Sequence, residues 1–114
     1  MSDLEIRTSA ADGRVVVALI GECDLAVQDE LTSALQAALG QSHEVVVDLR
    51  ELSFMDSSGI NGLVMAHHAA RERGAHLYVV NATGVVANVL NLTGLGLLLA
   101  PPAPRADGSP TGNV

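Results

Sequence analysis

Three β-branched apolar runs, set apart by segments of helical period, constrain this chain more than any other feature. RVVVALI at 14–20, EVVVDL at 44–49 and HLYVV at 76–80 each read as a central strand. Residues 4 to 9 and 14 to 20 flank Asp12 and Gly13, the signature of a hairpin feeding the first of these runs. Gly21 ends that run, and Asp24 is a good N-cap for LAVQDELTSALQAALG, in which Val27, Leu31, Ala34, Leu35, Ala38 and Leu39 share one face before Gly40 stops the helix. The same period resumes at Ile60, Leu63, Val64 and His67 and closes at Arg73 and Gly74, then recurs at Val85, Val86, Val89 and Leu90 ahead of Thr93 and Gly94. A last apolar piece, LGLLLA at 95–100, is expected to add an edge strand. Strands alternating with helices imply right-handed parallel crossovers and therefore an α/β fold.

The chain has 114 residues, enough for one domain that hides roughly two-thirds of its unfolded surface. Apolar residues make up 48% but aromatics only 2%, so the core is built from Val, Leu, Ile and Ala, and stacking on a cofactor or a base is disfavoured. The formal charge is -7 with no lysine, and the six basic residues are arginines spread thinly along the chain. That balance argues against direct nucleic-acid binding and against an anionic membrane surface, both of which need a basic face. Cys23, the single cysteine, excludes an internal disulfide and a cysteine-rich zinc site, fits a reducing cytoplasm, and reads as a small buried hydrophobe. MSDLEIRTSA lacks the basic and apolar regions of a signal peptide, and LGLLLA is far too short to span a membrane. From residue 101 the sequence becomes PPAPRADGSPTGNV, which holds all four prolines and no apolar cluster, so residues 1–100 are expected to form the domain and 101–114 a disordered tail.

Chemistry concentrates at ELSFMDSSGING, residues 51–62, where a strand hands over to a helix. Asp, Ser and Gly are what any such turn prefers, because they cap the orphan amides and permit close backbone approach. A nucleophilic serine is a second reading, but the pattern is not Gly-x-Ser-x-Gly. His67 and His68 lie about ten residues along the same helix, roughly 15 Å from Ser57, and no base is specified by sequence within reach. Adjacent His67 and His68 point about 100° apart, which does not suit paired metal ligands, and no lysine is present for a phosphate-binding Gly-Lys loop. Phosphorylation is the third reading. A serine in the first helical turn is exposed, and a phosphate there meets the positive end of the helix dipole and free amides. It would add about -1.5 to -2 charges beside Asp56, and near Asp24 if the two strand ends are neighbours.

LSFMDSSGI, together with ALIGECDL before it and NVLNLTGLGLLL after it, resembles the anti-sigma factor antagonists of the STAS domain family, from about residue 4 to residue 100. The resemblance implies a single STAS-like domain: a mixed, mostly parallel sheet of four to five strands flanked by helices. It also implies a switch. The unphosphorylated antagonist binds an anti-sigma factor that is a serine kinase and so frees a sigma factor. Phosphorylation, expected at Ser57, abolishes that binding, and a metal-dependent serine phosphatase restores it. By the same matching Asp24 falls where the family contacts its partner, and Asp56, Ser58 and Gly59 shape the phosphorylated turn. Asn61 stands where glycine is frequent, so it bears on the partner's fit, while Cys23 replaces a more usual aliphatic residue. A chain of this kind is a kinase substrate, with no cofactor, no metal and no catalytic residue of its own. The alternatives are a scaffold subunit of a signalling assembly or the STAS component of a lipid-transport complex on the same fold, and, from a different class, an esterase with an activated Ser57.

Overall fold

The computed structural model describes residues 4–101. The tail expected from residue 101 therefore falls outside the described residues except for Pro101. A hairpin opens the fold: β1 (Leu4–Ala11) and β2 (Arg14–Cys23) pair antiparallel with Ala11 opposite Arg14. The two-residue turn between them has positive φ at both Asp12 (55°) and Gly13 (79°), the left-handed conformations that a tight hairpin requires and that Asp and Gly tolerate best. A 3-10 turn (Leu25–Val27) and α1 (Gln28–Leu39) cross to β3 (Glu44–Asp48); β4 (Leu52–Met55) then leads directly into α2 (Ser57–Glu72). The described residues end with β5 (His76–Val80), α3 (Gly84–Thr93) and α4 (Leu95–Leu98).

The five strands form one mixed sheet in the order β1-β2-β3-β5, with β4 also pairing β2; only the β1/β2 pair is antiparallel. The α/β class and mostly parallel sheet expected from the sequence are both present. Alternate residues of each strand, Val15, Val17 and Leu19 on β2, Val45 and Val47 on β3, and Leu77 and Val79 on β5, enter a single core. They meet the apolar stripes of the helices there, Leu31, Leu35, Ala38 and Leu39 from α1, Ile60, Leu63 and Ala70 from α2, and Val86 and Leu90 from α3.

Three local expectations are corrected. Gly21 does not end β2. It adopts φ 106°, the strand continues to Cys23, and at this point β2 exchanges β3 for β4 as its neighbour across a register shift. Residues 52–55, the strand expected ahead of the Asp-Ser-Ser-Gly turn, fill this vacated edge. The 95–100 segment is not an edge strand: Gly94 turns left-handed (φ 75°), a short helix comes next, and Leu99 is fully buried with its carbonyl accepting from Val79 N–H at 2.8 Å. It thus closes the outer edge of β5 without pairing along it. Val85 is 54% exposed and lies off the buried face on which its spacing placed it, because Val86 and Leu90 point inward instead.

Candidate functional site

Cys23 ends β2 and Met55 ends β4, and the two are register neighbours; Asp56 N–H donates to the Cys23 carbonyl at 3.1 Å. Asp24 and Asp56 therefore leave the sheet side by side, as expected if the strand ends are adjacent. Each caps the helical turn that it precedes. Asp24 Oδ1 accepts from Ala26 N–H at 3.0 Å, and Asp56 Oδ1 accepts from Ser58 N–H at 2.9 Å and Gly59 N–H at 3.2 Å. The Asp56 carbonyl takes the Ile60 amide. Capping is thus a real role of Asp56, and a side-chain cap of this kind is worth about 1 kcal/mol.

Ser57 is the first residue of α2 and is exposed, and its hydroxyl has no hydrogen-bond partner among the described residues. Here one expectation changes. The turn does not offer a phosphate a set of free amides, because Asp56 already occupies those of Ser58, Gly59 and Ile60; among the described residues only the Ser57 amide of this turn has no partner. A phosphoryl group on Ser57 would be displayed outward beside two carboxylates rather than cradled. Ser58 is half-buried, and Asn61 is exposed one turn further along α2.

Gly59 is buried, and a Cβ placed there would lie 2.8 Å from both Cys23 Sγ and Met55 Cγ. The helix start can approach the sheet ends this closely only because the position carries no side chain. Cys23 beneath it is fully buried, the small hydrophobe expected. Burial, reinforced by the negative charge of Asp56 and then Asp24, pushes its thiol up to about 11 from 9.0. A folded pKa above the unfolded value means that the stabilising contribution is complete below pH 9 and is lost as pH rises through 11. Two units correspond to about 2 to 3 kcal/mol. Denaturant unfolding across pH 8 to 11 should show that decline, and Cys23→Ala should flatten most of it. Tyr78, raised by burial and by its bond to Glu44, acts in the same direction and accounts for the residual slope.

Around the acidic turn stand apolar groups that periodicity alone did not single out. Leu25 is 68% exposed directly after Asp24, Phe54 is 41% exposed two residues before Asp56, and Met65 is 63% exposed on α2. Ser57, Asn61 and Met65 stand at i, i+4 and i+8 along one row of that helix. Asn61 and Met65 face Gln28, Thr32 and Gln36 of α1 across a groove of about 250 Å³ floored by Gly62 and Ala66. The sequence signal for these residues was available: each is a large apolar side chain falling outside its helix's core stripe or in the middle of the strand-to-helix motif.

The competing chemistries find no assembly. His43 and His76 join by a backbone bond at the N-terminal ends of β3 and β5, the opposite end of the parallel strands from the turn holding Ser57. His67 Nδ1 lies 3.0 Å from the Leu77 carbonyl; a carbonyl only accepts, so Nδ1 carries the proton and the ring is held against the edge of β5. His68 is exposed and meets His67 edge-on. Among the described residues no group of three His, Cys, Asp or Glu is placed to hold a metal ion, and no helix is long and apolar enough to cross a membrane.

The fold and site define a small α/β domain that displays an exposed serine on an acid-capped turn between strand and helix. Residues 6–100 match the family model described as Mlab, STAS domain, and the chain belongs to the STAS domain family. A curated relative, the anti-sigma F factor antagonist of Paenibacillus polymyxa, is 27% identical over 95 residues, 82% of this chain and 81% of the relative. An anti-sigma factor antagonist from Mycobacterium paratuberculosis has a similar structure, with a TM-score of 0.74, 24% identity, and coverage of 91% of this chain and 89% of that one. The Bacillus cell fate determinant SpoIIAA in the phosphorylated form superposes with a TM-score of 0.66 at 22% identity, covering 82% and 86%.

Proposed function

We propose that this chain is an anti-sigma factor antagonist whose partner binding is switched at Ser57. The observation that carries the reading is the placement of that hydroxyl: exposed, without a hydrogen-bond partner among the described residues, at the first position of α2, and flanked by carboxylates that are themselves held in place by caps. In the unmodified form, the domain presents a surface in which Asp24, Asp56 and Asn61 supply polar contacts, Leu25, Phe54 and Met65 supply apolar area, and Ser58 and Gly59 fix the backbone of the turn. An anti-sigma factor serine kinase docks there and gives up its sigma factor. Transfer of the γ-phosphoryl group from ATP to Ser57 Oγ releases the hydroxyl proton and adds about -1.5 to -2 charges. Since the amides of Ser58, Gly59 and Ile60 are already engaged by Asp56, the helix start offsets only part of that charge and the rest falls on the partner. A serine phosphatase restores the hydroxyl. In this reading the protein is a cytoplasmic kinase substrate rather than an enzyme. The relatives named as anti-sigma factor antagonists and the phosphorylated form known for SpoIIAA support the assignment.

The direct test is incubation with the cognate kinase and ATP followed by intact-mass measurement. One phosphate is expected on the wild type and none on Ser57→Ala. Equal labelling of the alanine variant would place the modification elsewhere.

A further inference from the structure

The outer edge of β5 carries an unmet donor. His76 N–H donates to the His43 carbonyl at 2.7 Å, and the Val80 carbonyl accepts from Leu49 N–H at 3.0 Å. The even-numbered residues of the strand therefore face β3, while Leu77 and Val79 turn their N–H and C=O groups outward. Val79 N–H is satisfied by the Leu99 carbonyl, and the Leu77 carbonyl by His67 Nδ1–H. The Leu77 N–H has no partner among the described residues, although Leu77 is only 1% exposed. A buried backbone donor left in this state costs free energy that an acceptor would recover.

Leu77 lines an open hollow of about 390 Å³ whose walls also include Arg71 from the end of α2, His76, Leu97 and Leu98. The side chains of Arg71 and His76 make no hydrogen bond or ion pair among the described residues. No carboxylate lines the hollow, in a chain whose net charge is -7. Two carboxylates stand nearby. Glu44, beside His76 in register, accepts from Tyr78 Oη at 2.6 Å and lies 3.9 Å from Arg14, and Glu72 lies in a neighbouring hollow with His68 and Arg71.

We propose that this hollow binds a tetrahedral oxyanion, a phosphate. The donors reach it from three directions. α2 packs on the face of the sheet that Leu77 enters and brings Arg71; His76 projects from the opposite face, because neighbours alternate along a strand; and the Leu77 N–H points along the plane of the sheet between them. A phosphate presents oxygens in all three directions, whereas a planar carboxylate offers two in one plane. Arg71 supplies charge and a fork of N–H groups, His76 a ring N–H in either charge state, and Leu77 the buried amide. His67 is a positioning residue: by donating to the Leu77 carbonyl it occupies the outward acceptor beside that amide. Leu97, 89% exposed, borders the hollow with Leu98, so inorganic phosphate and the phosphate of a small monoester share the chemistry that this site recognises. Ser57 lies about 14 residues earlier on α2, roughly 21 Å along the helix, so the site is separate from the acidic turn.

The test is titration of the full isotope-labelled chain with sodium phosphate to about 20 mM, followed by amide NMR at fixed pH, with ionic strength held by sodium chloride. The Leu77 amide should shift saturably. Arg71→Gln should weaken binding about tenfold and His76→Ala about threefold, each keeping its circular dichroism because both positions are exposed, while Arg50→Gln and Ser57→Ala should bind as the wild type does. Acetate should bind about tenfold more weakly than phosphate. Phenyl phosphate separates the two sources: tighter binding than inorganic phosphate, with shifts at Leu97 and Leu98, assigns the site to a monoester, and equal or weaker binding assigns it to inorganic phosphate. A Leu77 amide that does not move, phosphate that moves only the Ser57 amide, an Arg71→Gln variant that binds as tightly as the wild type, or acetate that matches phosphate overturns the proposal. No kinase enters these measurements, so the outcome is independent of the role assigned to Ser57.

Discussion

Phosphorylation of Ser57 should weaken binding of the cognate anti-sigma factor kinase by about 100-fold or more, the scale of a doubly charged group forced against a docked surface already fitted to two carboxylates. The domain itself should survive the modification. The Ser57 hydroxyl has no hydrogen bond to lose among the described residues, the Asp56 cap remains satisfied, and the group projects into solvent at a helix N-terminus whose dipole offsets part of the repulsion. Thermal unfolding of the phosphorylated protein should therefore stay within a few degrees of the unmodified protein, while titration calorimetry against the kinase shows the loss. Ser57→Asp should reproduce only part of it, because one carboxylate carries about half the charge. Undiminished affinity of the phosphorylated form would remove charge as the basis of the switch.

Gly59→Ala should lower the unfolding midpoint by about 5 to 10 °C, equivalent to about 1 to 2 kcal/mol for a domain of this size. Alanine is favoured over glycine inside a helix by about 1 kcal/mol, but the new methyl would lie 2.8 Å from both Cys23 Sγ and Met55 Cγ, and striking two buried side chains at once sets the overpacking cost at the upper end of its range, about 2 to 3 kcal/mol. Cys23 and Met55 are both buried with little room to shift, so relief comes chiefly by lifting the first turn of α2 off the sheet ends. That would move Ser57 and Asp56 together, so partner affinity should fall along with stability. Gly62→Ala is the control. Its Cβ would meet the flexible end of Leu31 at 3.3 Å, contact that a small rotamer shift accommodates, so helix propensity and crowding nearly cancel. A Gly59→Ala protein as stable as Gly62→Ala would show that the turn is not held by this close approach. Combining Gly59→Ala with Cys23→Ala should recover part of the loss, since it removes one of the two contacts.

The elements themselves were legible from local chemistry. Short, nearly continuous β-branched apolar runs bounded by turn residues read as central strands, a period near 3.6 reads as a helix, and Asp12-Gly13, Asp24, Asp56 and Gly94 sit where turns and caps need short polar or unbranched residues. Those preferences act over a few residues, so most of them hold without reference to distant segments. Tertiary structure decided what depends on distant segments meeting. The change of neighbour at Gly21, the place that residues 52–55 take beside β2, and the folding of 95–98 into a helix that caps β5 each depend on which edge is left vacant by the rest of the sheet. The same holds at the site. Sequence placed a serine at a helix start, but only the packed chain puts Asp24 beside Asp56 and seats Gly59 on Cys23, because those contacts join segments about 30 residues apart along the chain. The amides that a phosphate would otherwise have claimed are filled within the turn itself, by an Asp56 cap whose geometry the packed helix start holds in place.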